Sequence, residues 1–388
     1  MNNILYLTNK EIPYKIKYFN EIAKNNNLTV YFDQKNNGDR NQKWSKSIKN
    51  DFKFYYADSN DFNYSKFFSQ LKNYDFIIIG SYNCNISLKT INYLKKNHMK
   101  YIIDIDGDYF IDKISIKNFF KKRILRGAEC YIIAGDKTIK KYKRILKTNS
   151  VYPYYFSPFF KKEIIENNLK SKENKSEYIL LVSRYLKEKG TDIALYIAKK
   201  MKDEKIKIVG VGNRALELKK EIEKQKITNI EIIPFLQKEE LNNLYSNAKV
   251  LILPSRKECW GLVINEATSF GLPIVSTYGS GAAVEFLEGK YSKYLAKKNS
   301  KQDFYIKLKN FLKDDENKEY KEYLLYKSRE YNIERSVKVL EEILKKEKED
   351  EKKFNNDDKV KIIVKLKEDK VNPDDLKTAE GLKKLELE

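Results

Sequence analysis

The chain has 388 residues, 41% of them apolar, with 77 Lys and Arg against 55 Asp and Glu and a formal charge of +22. At roughly 100–200 residues per domain this is enough for two domains and a tail, each domain able to bury a real core. Its composition excludes a disordered chain, its longest apolar runs fall short of the ~18 residues of a membrane span, and three scattered cysteines (Cys84, Cys130, Cys259) suit neither a disulfide framework nor a zinc site.

The amino terminus, Met1-Asn2-Asn3-Ile4, has no basic region and no long apolar stretch, so no signal peptide is expected. The expectation is a soluble, reduced, cytoplasmic protein with an anionic partner. Candidate strands in the first half are Ile4–Leu7, Leu28–Phe32, Phe54–Tyr56, Phe76–Gly80, Tyr101–Ile105 and Cys130–Ala134, with a first helix over Ile12 to Ala23. This half is the more basic: residues 1–170 hold 31 Lys/Arg against 16 Asp/Glu, interleaved with aromatics as in Phe119-Phe120-Lys121-Lys122-Arg123. Such a surface suits an anionic membrane face or nucleic acid, and an ordinary Lys-rich solvated surface is the plain alternative.

An aromatic stretch, Val151 to Phe160, leads into a polar run without a periodic apolar face, read as a linker over 161–177. The alternation then restarts. Strands are expected at Tyr178–Val182, Ile206–Val209, Ile230–Pro234, Val250–Leu253 and Pro273–Ser276, with helices over Thr191–Met201, Arg214–Lys224, Glu239–Ala248 and Gly261–Phe270. The expected organisation is an α/β protein of two doubly wound, Rossmann-like domains facing each other across a cleft. It comprises a first domain over 1–160, a second over 178–322, a helix over 323–346 and a charged tail over 347–388. Ligands of open α/β sheets bind at the carboxyl ends of the strands, here inside the cleft.

The chemistry concentrates after Val250–Leu253. Pro254 to Ala267 forms a loop and opens a helix, with Glu258 before the helix start at Gly261 and Glu266 about 7–8 Å along its axis. A helix amino terminus flanked by two carboxylates accepts an anion between two hydroxyl-bearing groups, which is the layout of a nucleotide-sugar. Glutamates that merely cap a helix are the alternative. Arg184 and Lys189, capped by Gly190, follow another strand and place two cations where charge on a leaving diphosphate would be neutralised. Gly210-Val211-Gly212 allows close approach of a nucleotide to backbone.

Together these pieces resemble the donor domain of family 4 of the glycosyltransferases, retaining enzymes of GT-B fold. They are Val182-Ser183-Arg184 with Lys189-Gly190, Gly210-Val211-Gly212, Phe235-Leu236 before Glu240-Leu241, and Leu253-Pro254-Ser255. Glu258-x7-Glu266 continuing to Gly271-Leu272-Pro273 completes the set. Gln237 stands where the family often has Gly. The resemblance implies that Glu258 holds hydroxyls of the transferred sugar, Glu266 the ribose, and Arg184 and Lys189 the diphosphate. Backbone N–H groups of Cys259, Trp260, Gly261, Leu262 and Val263 would serve phosphate and sugar, and Gly210 and Gly212 would let the nucleotide lie close. In the first half, Asp106 of the Asp-Gly pair after Tyr101–Ile105 is the candidate for shaping the reaction centre. His98 reads as a loop residue, so no histidine-based catalysis is expected.

The implied reaction moves a sugar from a nucleoside diphosphate to a glycan or lipid-linked acceptor in cell-surface polysaccharide or lipopolysaccharide synthesis. It needs no metal and no further cofactor; the basic, aromatic first half suggests a cytoplasmic protein attached peripherally to an anionic inner membrane face, with no nucleic acid expected as partner. Other readings compete, among them a same-fold epimerase, whose acid and base groups are not found, and an inactive GT-B protein, against which the intact site residues speak. Asp104-Ile105-Asp106 and Asp106-Gly107-Asp108 match the short metal-binding DxD pattern of GT-A enzymes. Gly210-Val211-Gly212-Asn213-Arg214-Ala215 matches a dinucleotide fingerprint and suggests an NAD-dependent enzyme. The charge alone suggests a nucleic-acid binder.

Overall fold

The structure, a computed structural model, describes residues 1–35, 49–107, 115–170, 178–234, 236–313 and 317–368. Met1–Val337 form one compact unit and Lys338–Glu388 another. The first unit contains two parallel sheets. The first is built from β1 (Asn3–Thr8), α1 (Pro13–Ala23), β2 (Asn27–Phe32), β3 (Lys53–Tyr56), α2 (Tyr64–Gln70), β4 (Phe76–Ile79), α3 (Asn85–Lys96), β5 (Ile102–Ile105), α4 (Ile116–Leu125), β6 (Cys130–Ala134), α5 (Asp136–Leu146) and β7 (Val151–Tyr154). Its strand order is β3-β2-β1-β4-β5-β6-β7, with Ile4 in register with Leu28 on one side and Phe76 on the other. Helices cover both faces, which is why the central strands read as continuous apolar runs: Ile4, Leu5 and Leu7 are all fully buried.

After α6 (Lys161–Leu169) the second sheet follows, from β8 (Tyr178–Val182), α7 (Thr191–Lys200), β9 (Lys205–Val209), α8 (Ala215–Lys224), β10 (Ile230–Ile233), α9 (Lys238–Asn247), β11 (Val250–Leu253), α10 (Leu262–Ser269), β12 (Ile274–Thr277), α11 (Gly281–Phe286) and β13 (Leu295–Ala296). The order is β10-β9-β8-β11-β12-β13, again all parallel. Then come α12 (Lys301–Leu312), α13 (Asn317–Glu330) and α14 (Ile333–Glu368). The expected α/β architecture of two Rossmann-like domains is therefore present.

Several elements differ from the sequence reading. The aromatic stretch contributes β7, an edge strand, where Pro153 is tolerated because one side of the strand has no ladder partner. The first part of the expected linker is a helix. α6 lacks an apolar stripe because it packs through polar groups as well as Ile164: the buried Asn167 amide donates to Ser269 Oγ at 2.9 Å. Residues 171–177 lie outside the described residues. In place of one helix over 323–346 there are two, broken at Tyr331-Asn332, where Asn332 Oδ1 accepts the Arg335 N–H at 2.7 Å and caps the new helix. α14 continues through Glu368, into the expected tail, and residues 369–388 lie outside the described residues.

Candidate functional site

In a sheet of order 3-2-1-4-5-6, the crevice opens between the first and fourth strands, where the winding reverses. In the second sheet this switch point lies between β8 and β11. The loop after β8 carries Arg184 and Lys189, and the loop after β11 carries Glu258 to Gly261. The fold thus brings these candidates to one edge.

The two loops are tied together. The Arg256 N–H donates to Glu188 O at 2.7 Å. Gly190, at φ +72°, lies against Pro254 so closely that a Cβ there would sit 2.0 Å from the Pro254 carbonyl oxygen. Arg256 grips Asp192 of α7 with both guanidinium nitrogens, at 2.7 and 2.8 Å. Lys189 and Glu258 form an ion pair whose side chains are 14% and 22% exposed. Arg184 is exposed, and beside it the Tyr185 N–H donates to Val211 O at 3.2 Å, which docks the Gly210-Val211-Gly212 turn next to the cationic loop. Both glycines have left-handed φ angles, +78° and +74°, and open space where a Cβ would be.

Behind the Glu258 loop, residues 278–282 act as a strap. The Glu258 N–H donates to Gly279 O at 2.8 Å, while Trp260 O accepts from the Ala282 N–H and from Ser280 Oγ, both at 2.9 Å. Gly261 caps α10 at φ +103° without a side-chain hydrogen bond, so the N–H groups of the first turn, Leu262 and Val263 among them, are presented at the loop. Glu266 lies further along α10, half-buried, and accepts the Tyr245 hydroxyl at 2.6 Å. Burial raises its carboxyl above the usual range, against the lowering effect of that hydrogen bond and of Lys238. The Trp260 side chain turns away. It is buried, donates to Asn265 Oδ1 at 2.9 Å and packs against Phe156 and Tyr331, leaving only its main chain to the loop.

The first domain meets this loop. Past the end of β5, Gly107 touches Cys259, and a Cβ on Gly107 would fall 2.4 Å from the Cys259 carbonyl oxygen. This seats Asp106, one residue earlier, beside the Glu258 loop. Asp136 at the start of α5 donates its N–H to Glu285 Oε2 of α11 at 2.8 Å, and Tyr331 donates to Oε1 at 2.7 Å. Sequence reasoning did not single out Glu285, since a lone Glu in a helix carries no signal that it caps a helix 149 residues away. Lys15 was also missed. It donates to Thr8 Oγ1 at 2.5 Å, Asn9 Oδ1 at 3.1 Å and Ser81 Oγ at 3.4 Å, at the first sheet's own switch point between β1 and β4.

The DxD reading meets an obstacle in Asp104. Its carboxyl is 4% exposed and accepts the Tyr6 hydroxyl at 2.5 Å. Burial pushes it up to about 7, with Asp106 adding to the rise while the Tyr6 hydrogen bond and Lys15 oppose it. A carboxyl so often protonated is a poor ligand for a hard cation. Asp108 lies outside the described residues, and among those described no three His, Cys, Asp or Glu side chains gather as a metal set. The dinucleotide fingerprint sits after β9, one strand away from the switch point. His98 is exposed in the loop after α3, at φ +51°.

Two doubly wound domains meeting at the carboxyl edges of their sheets make a GT-B fold. Over 89% of this chain and all of theirs, that fold matches Anabaena HepE, solved in complex with UDP and glucose, at TM-score 0.68 and 14% identity. It also matches sucrose-phosphate synthase from Thermosynechococcus elongatus at TM-score 0.64 and 14% identity, over 89% of this chain and 98% of that one. Residues 161–331, which hold both site loops of the second sheet, match the family described as glycosyl transferases group 1. Among curated proteins the chain is 25% identical over 224 residues to an uncharacterized glycosyltransferase of Methanocaldococcus jannaschii, covering 54% of this chain and 62% of the relative. It is 29% identical over 169 residues to a sulfoquinovosyl transferase of Arabidopsis thaliana, covering 42% of this chain and 32% of that protein. The chain therefore spans less than two thirds of the length of these relatives.

Proposed function

We propose that the protein transfers a sugar, with retention, from a nucleoside-diphosphate sugar to a glycan or lipid-linked acceptor of the cell surface. The observation that carries this is the Lys189–Glu258 pair beside the open amino terminus of α10. A diphosphate at Gly261 takes Lys189 and Arg184 as counter-charges and releases Glu258 to accept hydrogen bonds from the sugar hydroxyls. Glu266, five residues on and held by Tyr245, grips the ribose. Gly210 and Gly212 leave room for the nucleoside.

In the step itself, the bond from the anomeric carbon to the diphosphate oxygen breaks while the acceptor oxygen bonds to that carbon from the same face. The acceptor's proton passes to the departing diphosphate oxygen. No side chain has to act as nucleophile, and the main catalytic term is stabilisation of charge on the leaving group by Arg184, Lys189 and the helix end. With two fixed cations in place, neither a divalent metal nor a cofactor is required. Asp106, beside Cys259, orients the acceptor. Attachment to the cytoplasmic face of a membrane suits the basic first domain, and among the described residues no helix is long and apolar enough to cross one.

A thermal-shift series with UDP, GDP and ADP and their sugars tests the reading, because a ligand that binds the folded form stabilises it by mass action. One nucleotide series is expected to raise the melting temperature. Stabilisation by NADH with none by any nucleoside diphosphate would return the site to the dehydrogenase reading.

A further inference from the structure

This inference rests on the transferase reading and concerns where the acceptor lies. α4 carries apolar side chains on its outer face as well as on the inner one. Ser115 Oγ caps it by accepting the Asn118 N–H at 3.1 Å, and Leu125 is fully buried on its inner side. On the opposite side Ile116, Phe119 and Phe120 are 78%, 65% and 56% exposed. At 3.6 residues per turn these three fall within an arc of about 100°, centred close to the exposed Arg123. Ser115 to Ala128 contains five cations and no acid. α5, which packs on α4, carries five more and a single acid, Asp136, in its first turn.

A water-facing helix hides its apolar residues and shows its charges, whereas one that lies in a membrane interface shows both together. We propose that α4 docks the protein on an anionic lipid bilayer, with Ile116, Phe119 and Phe120 entering the interface and the cations of α4 and α5 meeting lipid phosphates. Nucleic acid would engage the cations and stack on the two Phe rings, yet it gives Ile116 nothing apolar to enter. α4 follows β5 in a parallel sheet, so its exposed first turns start on the carboxyl side, the edge at which Gly107 meets Cys259. The acceptor that suits this placement is lipid-linked: it remains in the bilayer while the water-soluble donor enters from the other side.

The test is sedimentation of the full chain with phosphatidylcholine vesicles, with and without phosphatidylglycerol, for the wild type, Phe119→Ser/Phe120→Ser and Lys122→Glu/Arg123→Glu. The wild type is expected to bind the anionic vesicles and to release in high salt, and each variant to lose at least about tenfold in affinity. All three are expected to keep the same thermal shift with nucleotide, since none of these side chains lies at the donor site. Equal binding by wild type and variants, or wild-type indifference to phosphatidylglycerol, overturns the proposal. So does binding of a single-stranded oligonucleotide at physiological salt that displaces the vesicles. Vesicle binding without any nucleotide response would instead leave α4 as a docking element and remove the transferase reading.

Discussion

The α-carbon of Gly107 rests against the carbonyl of Cys259, with no room for a methyl group between them: an added Cβ would stand 2.4 Å from that oxygen. This is a point at which the first domain touches the loop that carries Glu258, and what it meets is backbone, which cannot swing aside as a side chain would. Gly107 is not among the glycines with left-handed φ, so the requirement here is space alone.

Gly107→Ala is therefore expected to push the two domains apart. Overpacking of this kind costs about 1–3 kcal/mol, and displacement by an ångström at a reaction centre can cost about a hundredfold in rate. The expected result is a turnover at least tenfold lower with far-UV circular dichroism unchanged. Gly210→Ala is the useful contrast: its Cβ meets nothing, but at φ +78° it carries about 1–2 kcal/mol of conformational strain. Wild-type kcat in folded Gly107→Ala would show that the contact is not needed for the reaction.

Lys189→Ala and Arg184→Ala separate chemistry from folding. The side chains of the Lys189–Glu258 pair are only 14% and 22% exposed, so its loss is expected to cost about 1–3 kcal/mol in urea titration, which leaves the protein folded. If both cations stabilise the leaving group, each single variant loses roughly a hundredfold in kcat and the double variant most of the remainder. Full activity in a folded Arg184→Ala/Lys189→Ala protein would refute their assignment.

The parts of this site that could be read from the sequence are those that sit on one loop each. Glu258, Gly261 and Glu266 share a loop and the helix it opens, and Arg184, Lys189 and Gly190 share another, so local spacing was enough to single them out as candidates. Most strands were recoverable for the same reason, since each βα unit is a local pattern, whereas their order in the two sheets is set by pairing between distant segments. What escaped are contacts between distant segments: the Glu285 cap on α5, the Lys15 cluster, and the inward turn of Trp260. Glu285 reaches Asp136, 149 residues away, and Lys15 reaches Ser81, 66 residues away, and nothing in the local sequence distinguishes a surface Glu from one that spans two domains. α6 escaped for another reason. Its packing is polar, through Asn167 and Glu163, so an apolar-periodicity test passed over it.

Asp104 predicts an alkaline weakness. Its carboxyl faces Tyr6, Tyr18 and Tyr154, with Asp106 and Lys15 nearby, and burial raises it to about 7. A group raised in the folded state binds more protons there than in the unfolded chain. Its contribution is thus fully present below about pH 4 and lost as the pH rises through about 7. Asp104→Asn keeps an oxygen to accept the Tyr6 hydroxyl and has nothing to ionise. The variant is expected to gain on the wild type steadily between pH 4 and 8, reaching a few kcal/mol. Parallel melting curves across that range would show that Asp104 titrates normally.

Glu163 predicts the opposite limb. It binds Lys17 of α1 at 2.6 Å and Lys238 of α9 at 3.0 Å, one lysine from each domain, and both ammonium groups lie 5.8 Å from the centre of the Phe159 ring. Burial pushes its carboxyl up, but the hydrogen bond and charge of Lys17, the Phe160 N–H and Lys238 outweigh this and hold it below the usual range. Folded Glu163 thus binds fewer protons than unfolded Glu163. Its stabilisation is present above about pH 4.5 and lost as the pH falls through the lowered value. Glu163→Gln leaves two lysines facing each other across Phe159, with Lys17 itself held low by burial. It is expected to cost about 1–3 kcal/mol at pH 7, less at high salt, and little at pH 3. A loss that is the same at pH 3 and pH 7 would mean that α6 is held by the packing of Ile164 and Asn167 and that the charges crossing between the domains contribute nothing.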